Sequence, residues 1–202
     1  MRKNEINSLL RNYVQTNLSP TQDDISFVSK IYKSYNELLG ANSCIQIGSF
    51  PRYTAIKPIH DLDILFIIGH WNTFKSIPEH FMEALLSKIK SNYKNPTNYD
   101  LKFSAQTHSI SIKYMDGEEE IFAVDLVPSL INGKNEFDLD TYYVPEIIKY
   151  SRGEKRAKFY ASHNSSNINW IKTDPRGYIE IASSLNKKNK DFRKSVKFAK
   201  GW

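Results

Sequence analysis

Apolar side chains along the chain fall into two rhythms, one near 3.6 residues and one of two, and their alternation predicts the elements. Residues 4–16 carry a short helical pattern. Ser19-Pro20-Thr21-Gln22 reads as a capping box with proline at the first helical position. The helix it opens places Ile25, Val28, Tyr32, Tyr35 and Leu39 on one side and stops at Gly40, a residue suited to a left-handed C-terminal cap. Cys44-Ile45-Gln46-Ile47 is a short strand ending at Gly48-Ser49, and Leu62 to Ile68 forms a second, strongly apolar strand. Ser76-Ile77-Pro78-Glu79 is another capping signature, opening a helix to about Tyr93 with Phe81, Leu85, Leu86 and Ile89 toward the core.

Two strands follow, near Leu101–Gln106 and Ser109–Met115, and Asp116-Gly117 supplies a turn. The strand Ile121–Val127 returns and is closed by Pro128. The last third changes character, with Pro145, a stretch over 151–169 rich in Ser, Asn and Lys, and Pro175 as punctuation. Asp174-Pro175 looks like an N-cap with proline at the first helical position, opening a helix to about Leu185; a final helix covers roughly Asp191–Trp202. The pattern is that of an α+β protein, a mixed sheet with flanking helices followed by the start of a helical lobe. The chain stops in mid-pattern, at an apolar residue on a helix, which reads as a shortened chain.

Composition narrows the class. The 202 residues allow one sizeable core or two small lobes, and 40% apolar with 25% charged residues is ordinary for a globular protein. No apolar run approaches the ~20 residues of a membrane span, and the N-terminus MRKNEINSLL has no signal-peptide core. Cys44 is the one cysteine, which excludes an intrachain disulfide and a cysteine-based zinc site and fits a reducing cytoplasm. The net charge of +6 is unevenly spread: residues 1–148 hold 14 Lys/Arg against 18 Asp/Glu, residues 149–202 hold 14 against 4. That asymmetry suits a cleft with divalent metal on one wall and polyphosphate on the other; a solvated basic helical surface or a nucleic-acid-binding tail explains it equally.

The chemistry is carried by Gly48-Ser49, then Asp61-x-Asp63, then Asp125. Alternation along a strand points Asp61 and Asp63 to the same side. Two carboxylates so close repel and lose solvation on a sheet unless a cation bridges them, and magnesium takes carboxylate, water and phosphate oxygens. Asp125 stands in Phe122-Ala123-Val124-Asp125-Leu126-Val127, otherwise apolar on both faces. The simplest reason for a charge there is that this strand lies beside the second one and delivers a third ligand. Three such carboxylates suit two metal ions about 3.5–4 Å apart, with Asp125 nearer the attacking hydroxyl and serving as its proton acceptor. Gly48, after a strand, lets backbone N–H groups approach an anion, and the Ser49 hydroxyl can donate to a terminal phosphate.

Gly48-Ser49-Phe50-Pro51-Arg52-Tyr53-Thr54-Ala55-Ile56-Lys57-Pro58, followed by Asp61-Leu62-Asp63-Ile64-Leu65, resembles the polymerase-β-like nucleotidyltransferase superfamily. The spacing and the Arg-x-Thr-Ala-Ile segment look most like the bacterial oligonucleotide cyclases of anti-phage defence, relatives of cyclic GMP-AMP synthases. Tyr143-Val144-Pro145 and Trp170-Ile171-Lys172-Thr173-Asp174-Pro175 are similar to the segments leading into that family's helical lobe, and Arg193–Trp202 to its basic helix. The resemblance implies a catalytic core over 1–145 and the beginning of a basic helical lobe over 146–202. It implies that Asp61, Asp63 and Asp125 bind Mg²⁺ or Mn²⁺, that Ser49 meets the γ-phosphate, and that Lys200 and Lys197 hold the triphosphate. In that family the helical lobe continues further and supplies the base-selecting residues. Arg193, Lys197 and Lys200 form one basic stripe and Phe192, Val196 and Ala199 an apolar stripe beside it, a pattern that a plain solvated helix also shows.

Other features carry less. The five histidines, at 60, 70, 80, 108 and 163, show no paired ligand spacing, and His60 reads as a loop residue. Arg52 is balanced between phosphate contact and capping a local turn, Thr54 reads as an N-cap, Glu118-Glu119-Glu120 as a solvated hairpin end, and the tyrosines mostly as core. The leading expectation is an enzyme that joins nucleoside triphosphates into a cyclic or short oligonucleotide messenger, with defence effector or regulatory proteins as partners and no membrane. The alternatives are an RNA-tailing nucleotidyltransferase of the CCA-adding or poly(A) type, with RNA as acceptor or activator, and a non-catalytic nucleotide- or RNA-binding module that kept the fold.

Overall fold

The computed structural model describes residues 2–40, 42–71, 78–106, 108–146 and 170–202. Helix α1 (Arg2–Tyr13) runs into a π-helical turn over Val14–Leu18, and α2 covers Gln22–Leu39. Then come β1 (Cys44–Ile47), β2 (Asp61–His70), α3 (Pro78–Asn92), β3 (Asp100–Ala105), β4 (Ile110–Asp116), β5 (Glu119–Lys134), β6 (Asp140–Pro145), β7 (Trp170–Thr173), α4 (Pro175–Lys188) and α5 (Phe192–Gly201).

All seven strands share one sheet. The main path is β1-β2-β5-β4-β3, with β6 paired to β5 and β7 to β6. Pairing is antiparallel except between β2 and β5, which run parallel. Period-two alternation divides the faces. Leu62 and Ile64 of β2, Ile110, Ile112 and Tyr114 of β4, and Phe122, Val124 and Leu126 of β5 form one core with Val28, Ile31, Tyr35 and Leu39 of α2 and Met82, Leu85 and Ile89 of α3. The residues between them, Asp61, Asp63, Ser111, Ala123 and Asp125, therefore lie on the opposite face. A smaller cluster of Leu65, Tyr142 and Val144 secures the far end of that face.

Several elements depart from the sequence expectation for identifiable reasons. The capping box of α2 is Thr21 with Asp24, not Ser19 with Gln22: the Thr21 hydroxyl accepts from the Asp24 N–H while the Asp24 carboxylate accepts from the Thr21 N–H. An acidic partner two residues on satisfies the same end donors, and Pro20 falls before the cap. Ile31 replaces Ile25 in the buried stripe of this helix, and Ile25 is exposed. Gly40 caps α2 with φ 103° and ψ 126°, positive but outside the left-handed helical well.

Pro128 does not close β5. Pairing of β5 with β4 ends at Leu126, and pairing with β6 begins at Leu130. The proline sits in this hand-over, where no strand on that side needs its missing N–H. Opposite, Pro128 is in register with Phe66, whose carbonyl accepts from the Ser129 hydroxyl at 3.0 Å. β7, in the stretch beyond 145 expected to begin a helical lobe, joins the sheet through Tyr142–Thr173 to Pro145–Trp170 register pairs. The Ser76–Glu79 capping signature, the 151–169 stretch and His163 fall wholly or partly outside the described residues. Asp174 does cap α4, accepting from Gly177 N–H at 2.8 Å, and the Asn135 amide donates to both of its oxygens. No helix among the described residues is long and apolar enough to cross a membrane.

Candidate active site

The parallel pairing of β2 with β5 sets Asp63 directly beside Asp125, and Asp61 beside Ala123. Residues in register on adjacent strands project to the same face, so the three carboxylates expected to act together share one side of two neighbouring strands. Asp61 is exposed, and Asp63 and Asp125 are half-buried. Among the described residues, no three His, Cys, Asp or Glu side chains are gathered closely enough to hold a metal ion as they stand. The acids share a face without closing on one point.

Their electrostatics report the crowding. Burial pushes the Asp63 carboxyl up to about 6, with the charges of Asp61 and Asp125 adding to the rise and Arg52 and Lys200 opposing it. Asp125 is also raised, first by burial and then by Asp61, against the hydroxyls of Ser111 and Ser109, which favour its charged form. Ser111 is its register partner on β4. The Asp125 Oδ1 atom is buried with no hydrogen-bond partner among the described residues. An orphaned carboxylate oxygen next to two further acids is costly unless something positive meets it. Hard oxygen donors of this number and charge fit Mg²⁺ or Mn²⁺ and do not fit a soft metal.

Gly48 and Ser49 form the turn after β1, facing the acids. Gly48 has φ 75°, and a Cβ on it would stand 1.8 Å from Asp63 Oδ2. Glycine is thus required twice here, by backbone conformation and by the carboxylate lying over it. The turn is closed by its own residues: Arg52 Nε donates to the Gly48 carbonyl at 2.5 Å, and the Thr54 N–H and hydroxyl both donate to the Ser49 carbonyl. Arg52 therefore closes a turn, and its charge also reaches Asp63. Thr54 is no N-cap, because residues 55–60 form no helix. His60 serves through its carbonyl, which accepts from Ala123 N–H.

The basic stripe of α5 divides. Lys200 is exposed, and its charge is the smallest of those that oppose the rise at Asp63. With Arg52, Tyr178, Leu185, Phe192 and Val196 it lines a cavity of about 320 Å³. Lys197 instead lines a different cavity, against Phe50 and Tyr53, and its ammonium donates to the Ser19 hydroxyl at 3.1 Å. Burial, then the neighbouring Arg193, lowers its pKa. Of the expected apolar stripe, Phe192 and Val196 face the Lys200 cavity, whereas Ala199 is exposed.

Sequence reasoning missed Ser109 and Ser111, although two serines at period two in an apolar strand repeat the Asp61-x-Asp63 signal. It also passed over Tyr178, half-exposed on α4 at the cavity rim. No physical rule distinguishes that tyrosine in the sequence from the core ones.

No protein-family profile matches the chain, and no curated protein sequence matches it. Solved structures do. The chain superimposes on the E. coli MS115-1 CdnC:HORMA-deltaN complex with a TM-score of 0.58 and 13% identity, covering 95% of this chain and 54% of that one. It matches Elizabethkingia meningoseptica CdnE cyclic dinucleotide synthase with GTP and Apcpp at a TM-score of 0.57, with 11% identity over 96% of this chain and 64% of that one. Rhodothermus marinus CdnE c-UMP-AMP synthase, with Apcpp and Upnpp, gives a TM-score of 0.56, with 13% identity over 94% and 64%. The chain therefore has the fold of these proteins and spans 54–64% of their length.

Proposed function

We propose that the chain is a metal-dependent nucleotidyltransferase core that joins nucleoside triphosphates with release of pyrophosphate, making a cyclic or short oligonucleotide messenger in anti-phage defence. The observation that carries the reading is the register pairing of Asp63 with Asp125 beside Asp61 on the face away from the core, opposite the Gly48-Ser49 turn. The shared fold with cyclic dinucleotide synthases supports it and suggests ATP, GTP or UTP as substrates.

In this reading Asp61, Asp63 and Asp125 hold Mg²⁺ or Mn²⁺. Bound there, the metal neutralises the acids, polarises the triphosphate and favours ionisation of the attacking hydroxyl. The Gly48-Ser49 turn offers backbone N–H groups and the Ser49 hydroxyl to the terminal phosphate. Lys200, which lines a cavity with Arg52, screens the triphosphate charge in this reading. A ribose hydroxyl attacks the α-phosphorus, a new P–O bond forms, and the bond to the pyrophosphate oxygen breaks. Asp125 accepts the hydroxyl proton in this reading. Positioning and fixed charge supply the catalysis, as in other phosphoryl transfers. The test is binding of a fluorescent ATP analogue with and without chelator. Binding abolished by chelator and by Asp63→Ala supports the reading; binding indifferent to both sinks it.

A further inference from the structure

We infer that Tyr53 and Arg193 form a clasp that docks α5 onto the Gly48–Thr54 turn and thereby positions Lys200 at the carboxylates. The Lys200 part of this inference rests on the proposed function; the docking does not.

Tyr53 is an unusual residue in its place. Its φ is 59°, a left-handed conformation that a bulky aromatic side chain seldom adopts, and its side chain is not in the core, with 66% of the residue exposed. The conformation is imposed by the turn. Tyr53 N–H donates to the Phe50 carbonyl at 2.9 Å, between the Arg52–Gly48 and Thr54–Ser49 closures. The consequence is that the ring projects away from the turn, and the Arg193 guanidinium lies over its face with 4.7 Å between Cζ and the ring centroid. That is within the reach of a cation–π contact.

The contact matters because it ties α5 to the turn beside the acids, whereas the helix's other ties lead elsewhere. None of its described residues is fully buried, and its main ring contact is Phe198 edge-on to Tyr13, with centroids 6.3 Å apart. It is tied by polar and edge contacts. Near its start, Arg11 forms a two-toothed ion pair with Asp191; further along, Lys197 bonds Ser19; at its end, Gly201 packs so closely on Leu18 that a Cβ would stand 2.6 Å away. These three reach the N-terminal helices. The Arg193–Tyr53 contact reaches the turn that faces the acids. Arg193 and Lys200 are seven residues, two helical turns, apart on one face, so fixing the first fixes where the second emerges. Lys200 lines one cavity with Arg52, whose Nε donates to the carbonyl of Gly48, the residue against the Asp63 carboxylate.

The experiment compares Tyr53→Ala, Tyr53→Phe, Arg193→Ala, the Tyr53→Ala/Arg193→Ala pair and Lys200→Ala. Two readouts are used: affinity for a fluorescent ATP analogue with Mg²⁺, and amide hydrogen exchange across α5. The clasp predicts roughly five- to tenfold weaker nucleotide binding for either alanine variant, similar to Lys200→Ala, and no further loss in the pair. It predicts near-native behaviour for Tyr53→Phe, which keeps the ring. Exchange should quicken in α5 and not in α2, whereas in Lys200→Ala exchange stays native. Native exchange in α5 of Tyr53→Ala and Arg193→Ala would overturn the clasp. Faster exchange with native nucleotide affinity would overturn its link to Lys200. If the wild-type protein binds no nucleotide, the functional reading fails by itself, and exchange still decides whether the clasp docks the helix.

Discussion

Gly48 lies directly beneath the Asp63 carboxylate, with room for a hydrogen and none for a methyl group. The turn that would cradle phosphate and the acid that would hold metal are thereby fitted to one another. Gly48→Ala should cost roughly 2–4 kcal/mol, from the positive φ and the displaced carboxylate together. Adding Asp63→Ala removes the nearest obstructing atoms. The pair should then be less destabilised than the sum of the single variants by about 1 kcal/mol or more, measured by denaturant unfolding. Strict additivity would mean the two residues do not share this space.

Asp63 makes the metal-free protein sensitive to pH in a direction opposite to a salt-bridged acid. Folding raises its carboxyl from about 3.8 to about 6, so the native state holds more protons than the unfolded state between these values. Its contribution is fully present below the unfolded value and is lost as pH rises through about 6. In chelator, Asp63→Asn should therefore be more stable than wild type at pH 7.5, by roughly 2–6 °C in Tm, and the difference should shrink toward pH 4. Adding Mg²⁺ should raise the wild-type Tm and leave the Asn variant nearly unmoved. Calorimetry across pH, with and without metal, reads both effects.

The two lysines once grouped as triphosphate ligands should separate. Lys200 lines the cavity it shares with Arg52, whereas Lys197 is engaged with Ser19 in another cavity. Lys200→Ala should weaken nucleotide binding about tenfold or more with an unchanged Tm, as expected for a lost phosphate contact. Lys197→Ala should leave affinity within about twofold and lower stability by roughly 0.5–1.5 kcal/mol through the lost hydrogen bond. Titration of each variant with a fluorescent ATP analogue, beside a melting curve, distinguishes the roles.

Ser111 gives a finer test of the acidic face. It is in register with Asp125, and its hydroxyl favours the charged carboxylate. Ser111→Ala should push Asp125 further up, so that metal-stimulated activity rises with pH at a higher midpoint than in wild type while the maximum is retained. An unshifted profile would mean Ser111 is merely a small buried residue.

The strands and acids were legible in the sequence because each rests on a local rule. Cys44–Ile47 and the strand over Leu62–Ile68, which the structure extends to Asp61–His70, follow from apolar runs and bounding turns, and Asp125 stood out as a charge in an apolar strand. Placing it beside Asp63 needed β2 and β5 to be neighbours, which the shared carboxylate chemistry suggested; their parallel direction and register came from the structure. What local rules missed were features set by distant partners. Pro128 reads as a strand end unless β4 and β6 are known to hand over at that point. Lys197 and Lys200 look equivalent on a helical wheel until Ser19, far off in sequence, binds the first and the second is found in a separate cavity with Arg52. Tyr53 carries no signal at all in the sequence, since its left-handed backbone comes from closures by its neighbours.

The central claim is catalytic, and one assay addresses it most directly. The protein is incubated with all four α-labelled nucleoside triphosphates and Mg²⁺ or Mn²⁺, with and without an RNA primer, beside Asp125→Asn, and the products are treated with phosphatase and separated. The account predicts a small phosphatase-resistant product made without primer and absent from the variant. Label found solely on the primer, or a product that persists in Asp125→Asn, would contradict it.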